Sequence, residues 1–426
     1  MERLSNEGRL TLGGADVAAL AAVYGTPLYL MDEDAIRQNC RAFASALADA
    51  YPGDGHVAYA SKAFCCTQMA RILKEEGLLG DVASGGELLT VLKGGVSPDG
   101  IIFHGNNKTE GELRYAIENR IRRIVVNGPE ELSMISRIAG ELSATASVSI
   151  RLSPGITIDA HSAVQTSKLD SKFGVPIETG GAMDAVKLAL SLPNLFLAGI
   201  HCHLGSPVTE TEPYRMAADI MLEFSAKVRD ELGVTLGELN LGGGFAAQYL
   251  PEQTVKPIEE YVSVIAEAVQ AAAKRHKLPL PELVIEPGRR IVADAGLTVY
   301  TVGSVKVIPG VRTYVSVDGG LPDNPRYMLY GSKYTITLPE RASELKTETI
   351  ALAGRCCENE LLGIDMRIQP VKPGDKLAVL HTGAYNYSMA SHYNRVPKPP
   401  VVMLRGGKPF VAVRRETWED VSDRDV

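Results

Sequence analysis

His56-Val57-Ala58-Tyr59-Ala60-Ser61-Lys62-Ala63-Phe64 changes character at a lysine. Val57 to Ala60 carries no charge, as a strand covered on both faces requires, and from Ala63 onward the apolar residues take helical spacing. Lys62 therefore stands at the carboxyl end of a buried strand. A lysine walled in by apolar side chains loses hydration of its ammonium, so its pKa falls and a neutral amine becomes available to condense with a carbonyl. A lysine that packs its stem along a strand end and keeps its charge in water gives the same local pattern, so the rest of the chain has to decide.

Working outward, the same unit recurs. Short apolar strands are expected at Val57 to Ala60, Asp81 to Ala83, Ile101 to His104, Arg123 to Asn127, Val148 to Leu152, Leu197 to Cys202, Leu239 to Leu241 and Leu283 to Glu286. Segments of helical period separate them, among them Ala63 to Glu76, Gly86 to Lys93, Thr109 to Asn119, Pro129 to Gly140, Pro213 to Leu232 and Ile258 to His276. Alternation of this kind predicts an α/β fold with a parallel sheet, and eight units are what closes a TIM-like (β/α) barrel. A doubly wound open sheet fits the alternation too. After Gly296 strands follow one another without helices, at Thr298 to Val307, Tyr314 to Val317, Thr335 to Leu338, Glu348 to Ala353, Lys376 to Leu380, Val401 to Leu404 and Phe410 to Val413, which predicts a C-terminal antiparallel β domain. The expected division is an N-terminal segment, residues 1–30, packing with the β domain; a barrel over 31–290; and the β domain over 291–426.

Composition excludes several classes. The 426 residues are 45% hydrophobic and carry a formal net charge of -7 without basic clusters, so nucleic acid is not an expected partner. Six cysteines include two vicinal pairs but no Cys-x-x-Cys, which argues against structural zinc or a disulfide framework. The opening Met1-Glu2-Arg3-Leu4-Ser5-Asn6-Glu7 has no apolar core for a signal peptide, and no segment is apolar for long enough to span a bilayer. The expectation is a cytoplasmic protein with no membrane partner.

The polar residues able to do chemistry follow directly on the predicted strands, where a barrel places its active site. Lys62 follows the first, Asp81 stands at the second, and His104-Gly105-Asn106-Asn107-Lys108 follows the third. His201-Cys202-His203-Leu204-Gly205-Ser206 ends the sixth, Gly242-Gly243-Gly244-Phe245 the seventh, and Glu286-Pro287-Gly288-Arg289 the eighth. Three glycines after a buried strand let the backbone approach an anion and offer N–H donors to a phosphate, although a tight turn explains them equally well. A lysine, a phosphate cradle and a carboxylate are what pyridoxal phosphate needs: a partner for its aldehyde, an anchor, and a group that keeps its pyridine nitrogen protonated. Glu286 suits the last, unless it is a structural ion pair with Arg289 or Arg290. His201 and His203 share a strand face, but no carboxylate or cysteine constellation completes a metal site, so no metal is expected.

Tyr59-Ala60-Ser61-Lys62, Val82-Ala83-Ser84-Gly85-Gly86-Glu87, His104 to Lys108, Asp170-Ser171-Lys172-Phe173-Gly174, His201 to Ser206, Leu241 to Gly244 and Glu286 to Arg289 together resemble the fold-type III pyridoxal phosphate decarboxylases, over nearly the whole chain. The resemblance implies an eight-stranded barrel followed by a β domain, and pyridoxal 5'-phosphate as cofactor. It implies Lys62 as the lysine bonded to the cofactor, His203 stacked on its ring, Ser206, Gly243, Gly244 and Tyr385 at its phosphate, and Glu286 at its pyridine nitrogen. Asp81, Gly288 and Arg289 complete the implied cofactor set. Arg289, Arg326, Tyr330 and Tyr385 are implied at substrate carboxylate. Read without the resemblance, Arg326 is a solvated surface arginine.

Cys357-Glu358 resembles the family's Cys-Glu-Ser element, which implies a proton from Cys357 after carbon dioxide leaves and a contact from Glu358 to the far amino group of the substrate. The family shares its sites across a homodimer, so this pair is expected to serve a partner subunit. The implied reaction is decarboxylation of meso-2,6-diaminoheptanedioate to L-lysine; a related decarboxylase for D-ornithine, D-lysine or carboxynorspermidine is the runner-up, with a non-catalytic cofactor-binding homologue behind it. One departure bears on this. The chain reads Cys357-Glu358-Asn359-Glu360-Leu361-Leu362 where the family has serine, glycine and aspartate after the glutamate, so this loop is one residue shorter.

Overall fold

The computed structural model describes residues 2–157 and 171–426. The chain divides into two compact units, one of Cys40–Ala246 and Val255–Gly288, the other of Met1–Asn39, Ala247–Thr254 and Arg289–Val426.

In the first unit all eight expected strands are present: Gly55–Ala60, Leu79–Val82, Ile101–Phe103, Arg123–Val126, Ala146–Ser153, Leu195–His201, Glu238–Asn240 and Glu282–Ile285. Each pairs in parallel with the next, and the eighth closes on the first through Leu283 opposite Gly55. The open-sheet alternative is thereby excluded. Helices such as Thr67–Glu76 and Gly85–Gly94 follow the strands, started and stopped by local chemistry. Ser84 caps the second of these at the Glu87 N–H, 3.2 Å away, and the first ends on Gly77 in the left-handed region at φ 71°.

The barrel interior is filled in layers. At its amino-terminal end Arg123 makes a buried forked ion pair with Glu238, Nε to Oε1 at 3.0 Å and Nη2 to Oε2 at 2.6 Å. Gly199 makes room for the backbone of Glu238, since a Cβ there would lie 2.0 Å from the Glu238 carbonyl oxygen. Above comes an apolar cluster of Ala58, Ile102, Val125 and Val284. Two residues further along the third and eighth strands stand His104 and Glu286, so the period of a strand carries the same faces up to the polar layer at the carboxyl end.

The second unit holds a small sheet of Glu2–Leu4, Leu10–Leu12 and Ala15–Asp16, and a larger one running Leu361–Ile368, Glu348–Ala353, Arg312–Val317, Gly296–Ile308, Leu28–Asp32, Val401–Arg405 and Lys408–Val413. Its pairings are mostly antiparallel; Val401–Arg405 beside Leu28–Asp32, and Arg312–Val317 beside Glu348–Ala353, are parallel. Tyr300, Val315, Leu352, Ile368 and Leu377 build one core and Leu12, Leu28, Leu30, Val299 and Val402 another; each fully buried aliphatic side chain contributes about 1.5–3 kcal/mol. Tyr249 packs against the first core, which is why Ala247–Thr254 belongs here and not to the barrel. Leu361–Ile368 was not among the expected strands. Gly363 and Asp365, the latter at φ 54°, interrupt its apolar pattern, and its pairing with Glu348–Ala353 shifts register around Leu352. Among the described residues no helix is long and apolar enough to cross a membrane.

Candidate active site

The polar layer of the barrel is organised around Glu286. His104 Nε2 lies 2.7 Å from Glu286 Oε1, Asn240 Nδ2 donates to the same oxygen at 2.6 Å, and His201 Nε2 lies 3.3 Å from Oε2. Burial by itself would raise the Glu286 carboxyl, but His104 and His201 hold it well below the usual carboxylate range. Burial would likewise depress His104, and Glu286 with Asp81 reverse that. His201 goes the other way, pushed down to about 3 by burial, and is neutral at ordinary pH. An ionised carboxylate has about four lone-pair sites; three are taken, and the one left lies on Oε2.

Lys62 sits on a single turn, Ser61–Ala63, directly after the first strand, and its side chain is exposed. Of the two readings open for this lysine, the one that keeps its charge in water agrees with the structure, because the turn carries the amine out to the rim. What faces it is charge and imidazole. Burial raises the Asp81 and Glu87 carboxyls, a rise that Lys62 opposes, and burial followed by Lys62 depresses His203. Asp81 lies 3.8 Å from His104 and is pushed up to about 7, chiefly by burial.

The glycine triplet is a close-packing device. A Cβ on Gly243 would meet the Glu286 carbonyl oxygen at 2.0 Å, and one on Gly244, at φ 104°, the Gly205 carbonyl oxygen at 2.3 Å. Its N–H groups are not all free for an anion, since Gly242 N–H donates to Asn240 Oδ1 at 2.8 Å and Gly243 N–H to His203 Nδ1 at 3.1 Å. Gly244 is the triplet's remaining donor. Ser206 is half-buried, and Gly288 lies so close to the first strand that a Cβ would come within 2.9 Å of Ala60 Cβ.

In the second unit two arginines share a group of tyrosines. Arg289 Nη1 donates to the Tyr249 hydroxyl at 2.9 Å and Arg326 Nη1 to the same oxygen at 3.5 Å. Arg326 also donates to the Tyr334 hydroxyl at 3.2 Å and the Ala384 carbonyl at 3.4 Å. Both guanidiniums lie over the Tyr385 ring, 4.9 and 5.1 Å from its centroid, and Tyr330 is 6.0 Å from Arg326. Arg326 is buried rather than solvated, its Nε has no partner, and it has no ion pair among the described residues. Burial would raise the Tyr249 hydroxyl, but the two guanidiniums bring it below its ordinary value. A buried guanidinium in this condition suits a carboxylate brought by a ligand. Elsewhere in the unit Cys357 is exposed, its N–H 3.5 Å from Asn394 Oδ1, and the exposed Glu358 carboxylate accepts a hydrogen bond from the Tyr393 hydroxyl.

A family model described as the pyridoxal binding domain of pyridoxal-dependent decarboxylases matches residues 33–293. The diaminopimelate decarboxylase of Bacillus subtilis is 42% identical over 425 residues, covering 100% of this chain and 97% of that protein. The chain belongs to the diaminopimelate decarboxylase family. Among solved structures, the M. jannaschii diaminopimelate decarboxylase in complex with L-lysine superposes with a TM-score of 0.93 at 32% identity, covering 100% of this chain and 98% of that one. The Helicobacter pylori diaminopimelate decarboxylase, also complexed with L-lysine, gives 0.86 at 30% identity, covering 95% and 98%.

Within this family member, sequence reasoning missed some of the residues around Glu286. It expected no carboxylate beside His201, yet Glu286 joins His201 and His104 in a buried group whose ligand atoms lie within 4.8 Å of one another. The possible pairing of Glu286 with a neighbouring arginine is replaced by these partners, while Arg290 reaches Asp294 at 3.7 Å. Asn240 was also passed over, a buried polar residue within a predicted apolar strand, which is a legible signal. Tyr249 had none, because it meets Arg326 across 77 positions of sequence. Asp170 of the quoted motif lies outside the described residues.

Proposed function

We infer that this protein decarboxylates meso-2,6-diaminoheptanedioate to L-lysine and carbon dioxide with pyridoxal 5'-phosphate as cofactor, in the cytoplasm. The observation that carries the reading is the Glu286 carboxylate, kept ionised by His104 and His201 and hydrogen-bonded by Asn240, with a lone pair left on Oε2. The residues fit the cofactor: Lys62 for its aldehyde, Gly244 and Ser206 with Tyr385 for its phosphate, Glu286 for its ring nitrogen and His203 for its ring face. Asp81, Gly243, Gly288 and Arg289 belong to the same set. When bound, pyridoxal phosphate supplies an electron sink for the pair left behind as a carboxylate departs.

The chain's own part is to hold charge and protons. Glu286, as an anion, keeps a proton on the ring nitrogen. Arg326, with Arg289, Tyr330 and Tyr385, holds a substrate carboxylate by charge-assisted hydrogen bonds. Glu358 takes the far ammonium, and the Cys357 thiol returns a proton to the carbon that lost its carboxylate. We place Cys357 and Glu358 in the site of a second copy, in a homodimer with shared active sites.

A second reading, a decarboxylase of D-ornithine, D-lysine or carboxynorspermidine, is favoured by the Asn359-Glu360 departure beside the side-chain-reading Glu358. Purified protein offered diaminopimelate, D-ornithine and D-lysine in parallel decides between them. L-lysine from the first, at a kcat/KM well above the others, is the expected product; preferential release of putrescine or cadaverine overturns the assignment.

A further inference from the structure

Glu360 stands where the family pattern is broken, yet it is the most enclosed acid of its loop. Only 4% of it is exposed, whereas Cys357, Glu358 and Asn359 are all exposed. Its Oε2 accepts the Leu321 N–H and its Oε1 the Cys356 N–H. The space it fills is made by two glycines. A Cβ on Gly354 would lie 2.3 Å from Oε1, and one on Gly320, at φ 155°, 2.7 Å from both carboxylate oxygens. The two segments it joins are also stitched by the Arg355 N–H to the Gly319 carbonyl at 3.0 Å, and the first leads within five residues to Arg326.

A carboxylate with each oxygen on a backbone N–H from a different segment is a clamp, since charge-assisted bonds to two peptide groups fix both in distance and direction. We propose that Glu360 is a positioning residue, holding the Cys357-Glu358 loop in a fixed relation to the Leu321–Arg326 loop. The extra methylene of glutamate over the family's aspartate lets the acid reach across from a loop one residue shorter. The departure is thus compensated within the loop, and the recognition apparatus stays in register. The inference rests on the proposed role of Cys357 and adds to it the residue that aims the thiol. The neighbouring thiol, Cys356, has its pKa pushed up to about 12, chiefly by burial and then by Glu360.

The test compares Glu360→Gln, Glu360→Asp and Cys357→Ala, each loaded with cofactor, by kcat, KM for diaminopimelate, and the rate at which iodoacetamide alkylates Cys357 as read by peptide mapping. Glu360→Gln sets an amide N–H against a backbone N–H, and kcat is expected to fall about 10- to 100-fold, with a several-fold change in alkylation rate. Glu360→Asp should behave alike, and inserting one glycine before that aspartate should restore kcat to within a few-fold. A merely structural acid would lower the melting temperature while leaving kcat and alkylation of the folded protein unchanged; that result in both Glu360 variants, or in Glu360→Asp alone should Glu360→Gln not fold, overturns the inference. Full activity in Cys357→Ala would instead remove the proton-donor role, and the alkylation rates would still decide whether Glu360 positions the loop.

Discussion

Asn240 holds Glu286 and the glycine loop with one amide. Its Nδ2 donates to the Glu286 carboxylate at 2.6 Å while its Oδ1 accepts the Gly242 N–H at 2.8 Å, so neither end can turn without releasing the other. Asn240→Asp keeps the shape and the bond to Gly242 but sets a second carboxylate against the first, and one of the two must then take a proton. Loss of a hydrogen bond to a charged group costs about 1.5–3 kcal/mol, or roughly a 10- to 150-fold weaker affinity. Absorbance titration with pyridoxal phosphate should show that weakening, together with lower kcat. Wild-type affinity and turnover in this variant would mean that the amide link does not matter.

Lys62 is expected to be the residue that carries the cofactor. Borohydride reduction of the loaded protein followed by peptide mapping should find the label on the peptide containing Lys62. A label on Lys108 instead, which is buried and bonded to Glu131 at 2.9 Å, or on no lysine, ends the pyridoxal assignment of this residue.

His201 should make the fold sensitive to acid. Its pKa of about 3 lies below the ~6.5 of an unfolded histidine, so between those values the unfolded chain binds a proton that the fold refuses, and stability falls as pH drops through that window. His203, also well below its ordinary value, adds to the effect. Asp81, raised to about 7, opposes it, because the fold keeps a proton that the unfolded chain releases above ~3.9. His201→Gln removes one contribution, flattening the slope by up to about 1.4 kcal/mol per pH unit. Denaturant unfolding from about pH 4.5 to 6 reads that slope; parallel lines for the two proteins would show that His201 does not set it.

Arg326 should tell a diacid from its decarboxylated relative. Truncating one partner of a desolvated charge pair costs on the order of 2–5 kcal/mol, roughly 30- to 4,000-fold in affinity. Arg326→Ala should lower kcat/KM for diaminopimelate within that range and hardly alter cofactor affinity, while any weak turnover of D-lysine, which lacks the far carboxylate, falls much less. An equal drop for both substrates would show that Arg326 does not read the far carboxylate.

Sharing of the site between subunits predicts complementation. Lys62→Ala and Cys357→Ala are each expected to be inactive, and random hybrids of the two should regain up to about a quarter of wild-type activity, since half the dimers then hold one intact site. No recovery in dimers shown to exchange would put the two residues in one subunit.

The barrel was legible because most of its strands are short, largely apolar and followed by a helix of clear period; Gly55–Ala60 and Glu282–Ile285 needed no knowledge of tertiary structure. Leu361–Ile368 was hidden because Gly363 and Asp365 break the alternation that announces a strand. In the candidate site, what could be seen were residues at strand ends, such as Lys62 and Glu286. His104 was visible as a position without a role, because its meaning comes from a carboxylate 182 residues away. Which of the two readings of Lys62 holds, walled in or with its charge in water, could not be decided either, since a strand's apolar run does not say how far the turn after it projects.

The Arg123–Glu238 pair at the amino-terminal end of the barrel constrains how this sequence can drift. Replacing either residue alone strands a buried charge, at a cost of about 3–5 kcal/mol, while an apolar pair of matching volume is often neutral or stabilising by about 1–4 kcal/mol. Gly199 tightens the restriction, because it must stay small for as long as the backbone of Glu238 lies against it. The three positions form a ratchet: a better-packed barrel lies two simultaneous substitutions away, and single steps toward it pass through a chain that folds poorly. A library that varies positions 123 and 238 together can reach what one-at-a-time change cannot.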